Sequence, residues 1–317
     1  MTAPTTLRPM GAGTGIHEVT FPNRDVRLAG TLSLPDQPGR RPGIVMIGGS
    51  GPANRHNDVL FPPIRQHLHE AGIAVLSYDK RGVGASSGDW IESTIDDLAA
   101  DADAAVRFLR AQPAIEGQAV GIFGHSEGGW VGLRAAAALA TDAAFVVTTG
   151  CPGMSPAVQD RYALTNLLRS TKVPEADIDR VMALHDRLVT AGRRDASFAE
   201  ATRIVRTELP AGLPAYWHDV DERLWEFMKR KQDHDPVPDL VRLRCPLLAA
   251  FGGADRIVPV AESVRLFGGA ACHPDRDPRA TLTVQVFPGA DHRLVRPDGT
   301  FADGYLETLT GWILARV

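Results

Sequence analysis

The residues best suited to chemistry lie at positions 124–128, where the chain reads Gly-His-Ser-Glu-Gly. An apolar, strand-like run at 119–123 comes directly before them, and a helix-forming run begins at Trp130. Small residues two positions either side of a serine allow a sharp turn that lifts its hydroxyl above a sheet. We therefore predict that Ser126 is a nucleophile; an ordinary strand-to-helix turn is the alternative.

A serine hydroxyl is a poor nucleophile at neutral pH, so Ser126 needs a base within hydrogen-bond reach. After a turn of this kind, an acid and then a histidine follow the serine along the chain. His292 comes after an apolar run at 282–287 and is the predicted base. His125 adjoins the serine, His273 lies in a loop between a helix and a strand, and the remaining histidines precede or interrupt the required order.

The acid that orients the base is predicted to be Asp255. It lies in the loop after an apolar run at 246–251, and loops at strand ends are where α/β proteins place functional groups. Asp291, which adjoins His292, and Glu262, on the following predicted helix, are the rival acids.

An anion pocket for the reacting carbonyl oxygen is predicted from two backbone N–H groups. One belongs to Glu127, directly after the nucleophile, and the other to Ser50 in the glycine-rich loop 48–52. Gly48 and Gly49 let the backbone approach a carbonyl closely. A plain glycine turn is the alternative reading of this loop.

The rest of the chain alternates short apolar runs with helical patterns. Strand-like runs occur at 44–47, 73–78, 118–123 and 145–149 and return at 246–251 and 282–287, after a hairpin signal at 16–34. This alternation predicts an α/β fold with a mostly parallel central sheet and helices on both faces.

Between these two parts, residues 155–238 show amphipathic helical patterns without a convincing strand. We predict four regions: a flexible lead at 1–15, a first core part at 16–154, an inserted helical cap at 155–238, and a second core part at 239–317. Aromatic residues of a cap either line a substrate pocket or attach the cap to the core. Trp90, Cys151, Tyr216 and Trp217 are the candidate pocket residues.

Four segments together resemble the α/β-hydrolase superfamily, over residues 16–317. They are 48–55, 78–89, 124–129, and the pair 251–259 with 288–292. More narrowly, the chain is similar to bacterial esterases related to dienelactone hydrolases and prolyl-oligopeptidase catalytic domains. The resemblance implies an α/β-hydrolase fold, the triad Ser126, Asp255 and His292, and an oxyanion hole at Ser50 and Glu127.

One position departs from the pattern of those relatives. Gly48 stands where they often carry a histidine, so the backbone donor is kept and any orienting imidazole is lost. The resemblance also covers Asp79 and Arg81, and we expect Arg81 to form structural ion pairs or to brace the oxyanion loop. We expect the Glu127 side chain to pair with Arg55 or Arg81.

Composition excludes several classes of protein. A net charge of −4, without clusters of Lys and Arg, argues against a nucleic-acid-binding surface. The three cysteines form no C-x-x-C pair, so neither a zinc site nor a redox dithiol is expected. No signal-peptide or membrane-spanning run is recognisable, so we expect a cytoplasmic protein that needs no metal or organic cofactor. Whether it forms a homo-oligomer is left open.

These features predict two-step acyl transfer from a small-molecule substrate to water, with a carboxylic ester as the first choice. Thioesterase, amidase, lactonase, C–C hydrolase and biosynthetic acyltransferase or cyclase activities use the same machinery and stay open. Dehalogenases and epoxide hydrolases of this fold use an aspartate nucleophile, so Ser126 argues against them. A ligand-binding protein that has lost catalysis is the alternative of another class.

Overall fold

The computed structural model describes residues 15–138, 141–210, 213 and 217–317. Within these residues the chain forms one eight-stranded sheet. Its strands are β1 (Gly15–Asn23), β2 (Val26–Leu34), β3 (Arg41–Ile47), β4 (Ala74–Tyr78), β5 (Ile115–His125), β6 (Val146–Thr149), β7 (Leu247–Gly252) and β8 (Leu282–Phe287).

The spatial order of the strands is β1-β2-β4-β3-β5-β6-β7-β8. The pairs β1–β2 and β2–β4 are antiparallel, and every other neighbouring pair is parallel. The predicted α/β class, the mostly parallel sheet and the hairpin at 16–34 are therefore confirmed. Of the predicted lead at 1–15, residues 1–14 lie outside the described residues, and Gly15 already belongs to β1.

Ten helices occur in the described part of the chain. They are α1 (Phe61–Glu70), α2 (Ile95–Arg110), α3 (Glu127–Ala138), α4 (Pro156–Ser170), α5 (Glu175–Arg193), α6 (Phe198–Glu208), α7 (Glu222–Lys231), α8 (Val237–Arg242), α9 (Val260–Ala271) and α10 (Tyr305–Leu314). None of these helices is long and apolar enough to cross a membrane.

Two hydrophobic clusters cover the two faces of the sheet. On one face, side chains of α2, α3, α8 and α9 pack on the strands, with Trp130 and Phe267 almost fully buried. On the other face, α1 and α10 supply the cover, with Phe61 and Ile313 among the buried residues. Burial on both faces explains why the parallel strands read as continuous apolar runs rather than as alternating patterns.

Helices α4 to α7, here called the helical segment, connect β6 to the second half of the fold through α8. Two clusters of buried side chains belong to this segment alone, one around Leu188 and Trp225 and one around Val181 and Met182. The Trp225 indole N–H donates to the carbonyl of Ala196 at 2.8 Å, which fixes α7 against the end of α5. The predicted cap boundaries, 155 and 238, stay a prediction.

The sheet is tightly packed at β5. Gly121 pairs with Ile44 across the sheet, and a Cβ atom placed on it would lie only 2.2 Å from Cε2 of the Phe145 ring. Phe145 is fully buried and packs edge-on against Trp312 at 6.1 Å between ring centroids, so it has no room to move aside. Glycine is thus required at position 121 by close packing.

We expect Gly121→Ala to lower the free energy of unfolding by about 2 kcal/mol, because the added methyl group overpacks the core. Gly311→Ala is the matched control. Gly311 is exposed in the interior of α10 and has no neighbouring atom within 4 Å of an added Cβ. The control should raise stability by about 0.5–1 kcal/mol through helix propensity. Equal effects of the two substitutions in urea denaturation would contradict this account of the packing.

Candidate active site

Ser126 occupies the turn between β5, which ends at His125, and α3, which begins at Glu127. Its φ is 54°, in the left-handed region that residues with a Cβ atom rarely adopt. The Ser126 N–H donates to the carbonyl of Thr149 at 2.9 Å, and the Ser126 carbonyl accepts from the N–H of Gly129 at 2.8 Å. Strain of this kind costs about 1–3 kcal/mol and is concentrated at functional sites.

The glycines that flank Ser126 are required by contact. A Cβ atom on Gly124 would collide with the carbonyl oxygen of Gly128, and one on Gly128 would collide with the carbonyl of Ile47 in β3. The spacing of the G-x-S-x-G motif thus follows from how tightly β3, the turn and α3 pack together.

Asp255 and His292 are hydrogen-bonded to each other. The Asp255 Oδ2 atom lies 2.8 Å from His292 Nδ1, and Oδ1 accepts from the N–H groups of Ile257 at 2.7 Å and Val258 at 2.9 Å. The Asp255 side chain is fully buried. An ionised aspartate so held requires the proton on Nδ1, which leaves Nε2 as the basic nitrogen.

The rival acids are engaged elsewhere. Asp291 Oδ1 accepts from the N–H groups of Arg293 and Val295 at 2.8 and 3.0 Å, so it shapes its own loop. Glu262 forms an exposed ion pair with Arg265 one turn along α9. Neither carboxylate therefore orients His292.

Ser126 and His292 line one cavity of about 800 Å³ between the sheet edge and the helical segment. The ring centroid of His292 lies 5.0 Å from that of His125, which lines the same cavity. Burial, followed by the nearby His292 and Arg293, holds the pKa of His125 well below its ordinary value. His125 is thus neutral, with Nδ1 lying 3.2 Å from Thr149 Oγ1.

The glycine-rich loop after β3 lies directly over Ser126. A Cβ atom on Gly49 would be 3.4 Å from the Cβ atom of Ser126, and Ser50 lines the cavity. The Gly49 N–H donates to Asn57 Oδ1 at 3.1 Å, and its carbonyl accepts from Lys80 Nζ at 2.6 Å. The loop is therefore anchored through both sides of Gly49.

Glu127 is a second deeply buried charge beside Ser126, with 1% of its side chain exposed. Its Oε1 lies 2.8 Å from Lys80 Nζ and its Oε2 lies 2.9 Å from Lys231 Nζ on α7. The Ser50 hydroxyl donates to Oε2 at 3.2 Å. Burial opposes ionisation of Glu127, but Lys231 and Lys80 outweigh it and hold its pKa well below the ordinary value.

The predicted pairing of Glu127 with Arg55 or Arg81 is wrong. Arg55 binds Asp79 at 2.7 Å, and Arg81 binds Asp101 at 2.7 Å on α2. Each arginine thus pairs with an aspartate other than Glu127. These ion pairs agree with the structural role that was predicted for Arg81.

Of the four candidate pocket residues, Trp217 lines the cavity. Trp90 does not: it packs edge-on against Phe227 at 5.2 Å and so joins the core to α7. Cys151 does not either, since it is fully buried where a Cβ atom on Gly129 would meet it. Tyr216 lies outside the described residues.

Other cavity residues were missed, because a helical pattern does not reveal which part of its surface faces a ligand. Seven lie on α4, α5 and α7, and five lie in loops: Asn57, Asp58, Gln159, Asp160, Ala163, Leu164, Leu167, His185, Val220, Met228, Ile257 and Arg293. Among the described residues no group of three or more His, Cys, Asp and Glu side chains could hold a metal ion.

Known proteins resemble this chain over much of its length. Esterase EstD of Thermotoga maritima is 22% identical over 289 residues, which cover 88% of this chain and 62% of that protein. Acyl-coenzyme A thioesterase 1 of Rattus norvegicus is 31% identical over 130 residues, 41% of this chain and 28% of that protein. The chain thus spans less than two thirds of the length of these curated relatives.

Solved structures share the fold. The structure of DcsB in complex with its substrate analogue superposes with a TM-score of 0.64 at 18% identity, over 96% of this chain and 99% of that chain. The Pyrococcus furiosus esterase Pf2001 gives a TM-score of 0.60 at 17% identity, over 96% and 92%.

One family model, that of the alpha/beta hydrolase family, matches the sequence over residues 44–303, which is well over half of its length. That span begins in β3 and contains the turn at Ser126, the helical segment, Asp255 and His292. The superfamily resemblance read from the motifs is therefore confirmed: the chain belongs to the alpha/beta hydrolase family.

Proposed function

We propose that this protein is a serine hydrolase that cleaves a carboxylic ester of a small molecule through an acyl-enzyme. The observation that carries the proposal is the 2.8 Å contact between Asp255 and His292, at a cavity that both His292 and Ser126 line. Buried Asp255, held by two backbone N–H groups, keeps Nε2 of His292 free to accept a proton.

In the proposed reaction, Nε2 of His292 takes the hydroxyl proton as Ser126 Oγ attacks the ester carbonyl. Asp255 stabilises the imidazolium that forms. The imidazolium then protonates the leaving alcohol, and a water molecule, activated by His292, releases the acyl group. The balance is one ester and one water converted into one acid and one alcohol.

The oxyanion hole is assigned to the backbone N–H groups of Ser50 and Glu127. Glu127 is the first residue of α3, so its N–H has no acceptor one turn earlier within the helix and adds to the positive end of the helix dipole. The anchored Gly49 fixes the position of Ser50. Preorganised donors of this kind contribute about 3 kcal/mol each to the transition state.

Two named relatives, an esterase and a thioesterase, support acyl transfer to water. A thioester differs from an ester only in its leaving group, so the same residues would serve it. Amides, lactones, C–C bonds and acyl acceptors other than water stay as alternatives on this machinery.

Ser126→Ala should lower kcat/KM for an activated aryl ester by at least about 10³-fold, because no other group can form the acyl-enzyme. A fluorophosphonate should label the wild type at Ser126 and leave the variant unlabelled. Ser170→Ala, an exposed serine at the end of α4, is the matched control and should keep full activity. Labelling of a different residue in the wild type would defeat the proposal.

Asp255→Asn should lower kcat by about 10⁴-fold while the fold is retained, because an amide can hold the imidazole in the wrong tautomer. The rival acid gives the control: Glu262→Gln should stay within about twofold of wild type, since Glu262 only pairs with Arg265 on the surface. Steady-state kinetics with both variants checks this, and a comparable loss in the two would exclude Asp255 as the orienting acid.

Glu127→Gln should lower the free energy of unfolding at pH 7 by about 3 kcal/mol, because two buried ammonium groups lose their counter-charge. The wild-type carboxylate stabilises the fold only while it is ionised. Its pKa is depressed, so its contribution is complete above the ordinary value of 4.5 and is lost progressively as the pH falls below it.

Urea titrations measure the free energy of unfolding of wild type and Glu127→Gln. The difference between the two, here called the stability gap, should be constant from pH 8 to pH 5.5 and narrow towards pH 3. Glu262→Gln again serves as control, with a gap below about 0.5 kcal/mol throughout. A gap that stays unchanged at acid pH would show that Glu127 is not held as an anion.

A further inference from the structure

Asp160 on α4 lines the cavity that contains Ser126 and His292. Its neighbours on the same helix all have partners: the Gln159 amide donates to Ile257 O at 3.1 Å, Arg161 binds Asp186 at 3.2 Å, and the Tyr162 hydroxyl donates to Asp255 O at 3.2 Å. In the part of the chain that the structure describes, the Asp160 carboxylate has neither a hydrogen bond nor an ion pair.

The cationic and hydrogen-bonding side chains around Asp160 bind other partners. Lys231, the nearby cation, is held by Glu127 at 2.9 Å. His185 Nε2 lies 3.1 Å from the carbonyl of Ala157, so the ring proton of His185 is used there. Burial raises the pKa of Asp160, against the opposing effect of Lys231 and His185 and with a further increase from Glu127.

Apolar side chains also line this cavity, with Leu164, Leu167, Trp217 and Met228 among them. The side chain is nevertheless accessible from the cavity. Asp160, together with His185 and Met228, also lines a smaller adjoining cavity of about 30 Å³, so there is space for a small polar group beside the carboxylate. A carboxylate that faces a cavity without a protein partner is free to accept a hydrogen bond from a bound ligand.

We propose that Asp160 is a specificity-determining residue that accepts a hydrogen bond from a hydroxyl or ammonium group of the substrate. The preferred substrate is then an ester with a mainly apolar body and one hydrogen-bond donor remote from the scissile bond. The inference rests on the proposed function, because it places the donor-binding carboxylate in the same cavity as the nucleophile.

Substrates with and without a hydrogen-bond donor leave Asp160 in different states when they bind. A substrate donor that meets Asp160 replaces the water lost on binding, whereas a purely alkyl substrate leaves a desolvated carboxylate unpaired. Sites built around a polar group reject the analogue that lacks its partner more strongly than apolar pockets reject an extra methylene group. The apolar walls provide affinity, and Asp160 provides the choice between otherwise similar esters.

The test uses matched esters that carry a terminal methyl, hydroxyl or ammonium group. One series varies the acyl chain of p-nitrophenyl esters over several lengths, and the other varies the alcohol part of butyrate esters. We expect wild-type kcat/KM to favour a hydroxyl or an ammonium ester over the methyl ester in one series by at least about tenfold. No donor preference in either series would overturn the proposal.

The variants are Asp160→Leu and Asp160→Asn, with Asp179→Leu on the exposed surface of α5 as the matched control. Asp160→Leu should reduce the donor preference at least about tenfold while activity on the methyl esters is kept or increased. Asp160→Asn should keep a hydroxyl preference and lose an ammonium preference, which identifies the donor. The control should leave every ratio unchanged, and an unchanged ratio in Asp160→Leu would contradict the assignment.

Thermal unfolding separates a binding role from a structural one. The Asp160 carboxylate has no protein partner to lose, so Asp160→Leu should not lower the Tm, whereas the loss of a structural partner would lower it. Fluorophosphonate labelling of Ser126 distinguishes the two proposals. A wild type that is labelled but shows no donor preference defeats the role of Asp160 alone, and a wild type that is not labelled at Ser126 defeats the proposed function itself.

Discussion

The left-handed backbone at Ser126 is the constraint on which the rest of the site depends. It is held by a hydrogen bond to Thr149 O and by packing so close that Gly124 and Gly128 cannot carry side chains. β5 lies between β3 and β6, so the turn is fixed from both sides by parallel neighbours. The strain at this single residue is maintained by the packing energy of the whole sheet centre, where Gly121 and Phe145 are in equally close contact.

Glu127 connects the turn at Ser126 to two neighbouring loops and to α7. Its backbone begins α3 next to Ser126, and its carboxylate joins Lys80 after β4, Ser50 after β3 and Lys231 on α7. Three separate stretches of chain thus meet at one buried charge. A single buried pair often gives no net stability, because desolvation offsets the Coulomb attraction. Two ammonium groups on one carboxylate shift that balance, and the geometry of the loop over Ser126 depends on the result.

The sequence predicted the sheet and placed Ser126, Asp255 and His292 in loops, because both follow from rules local to strand ends. That the three act together stays a prediction. Strand runs are recognisable by apolar continuity, and parallel strands bring the loops at their carboxyl ends to one edge. The partners of Glu127 were not predictable in the same way. Arg55 and Arg81 were expected, but Asp79 and Asp101 bind them, and such a choice among nearby charges depends on distances of one or two ångströms.

The cavity wall escaped prediction for a different reason. Trp90 and Cys151 follow strands, as functional residues do, yet packing against Phe227 and Gly129 takes them away from the cavity. The wall is formed instead by α4, α5 and α7, whose own hydrophobic clusters satisfy their amphipathic patterns. Periodicity identifies the face of a helix that packs against its neighbours. It leaves the orientation of the other residues, such as Asp160, to the way the helical segment sits on the core. The sheet edge thus fixes where Ser126, Asp255 and His292 lie, whereas local sequence rules do not constrain the side chains of the helical segment that line the cavity.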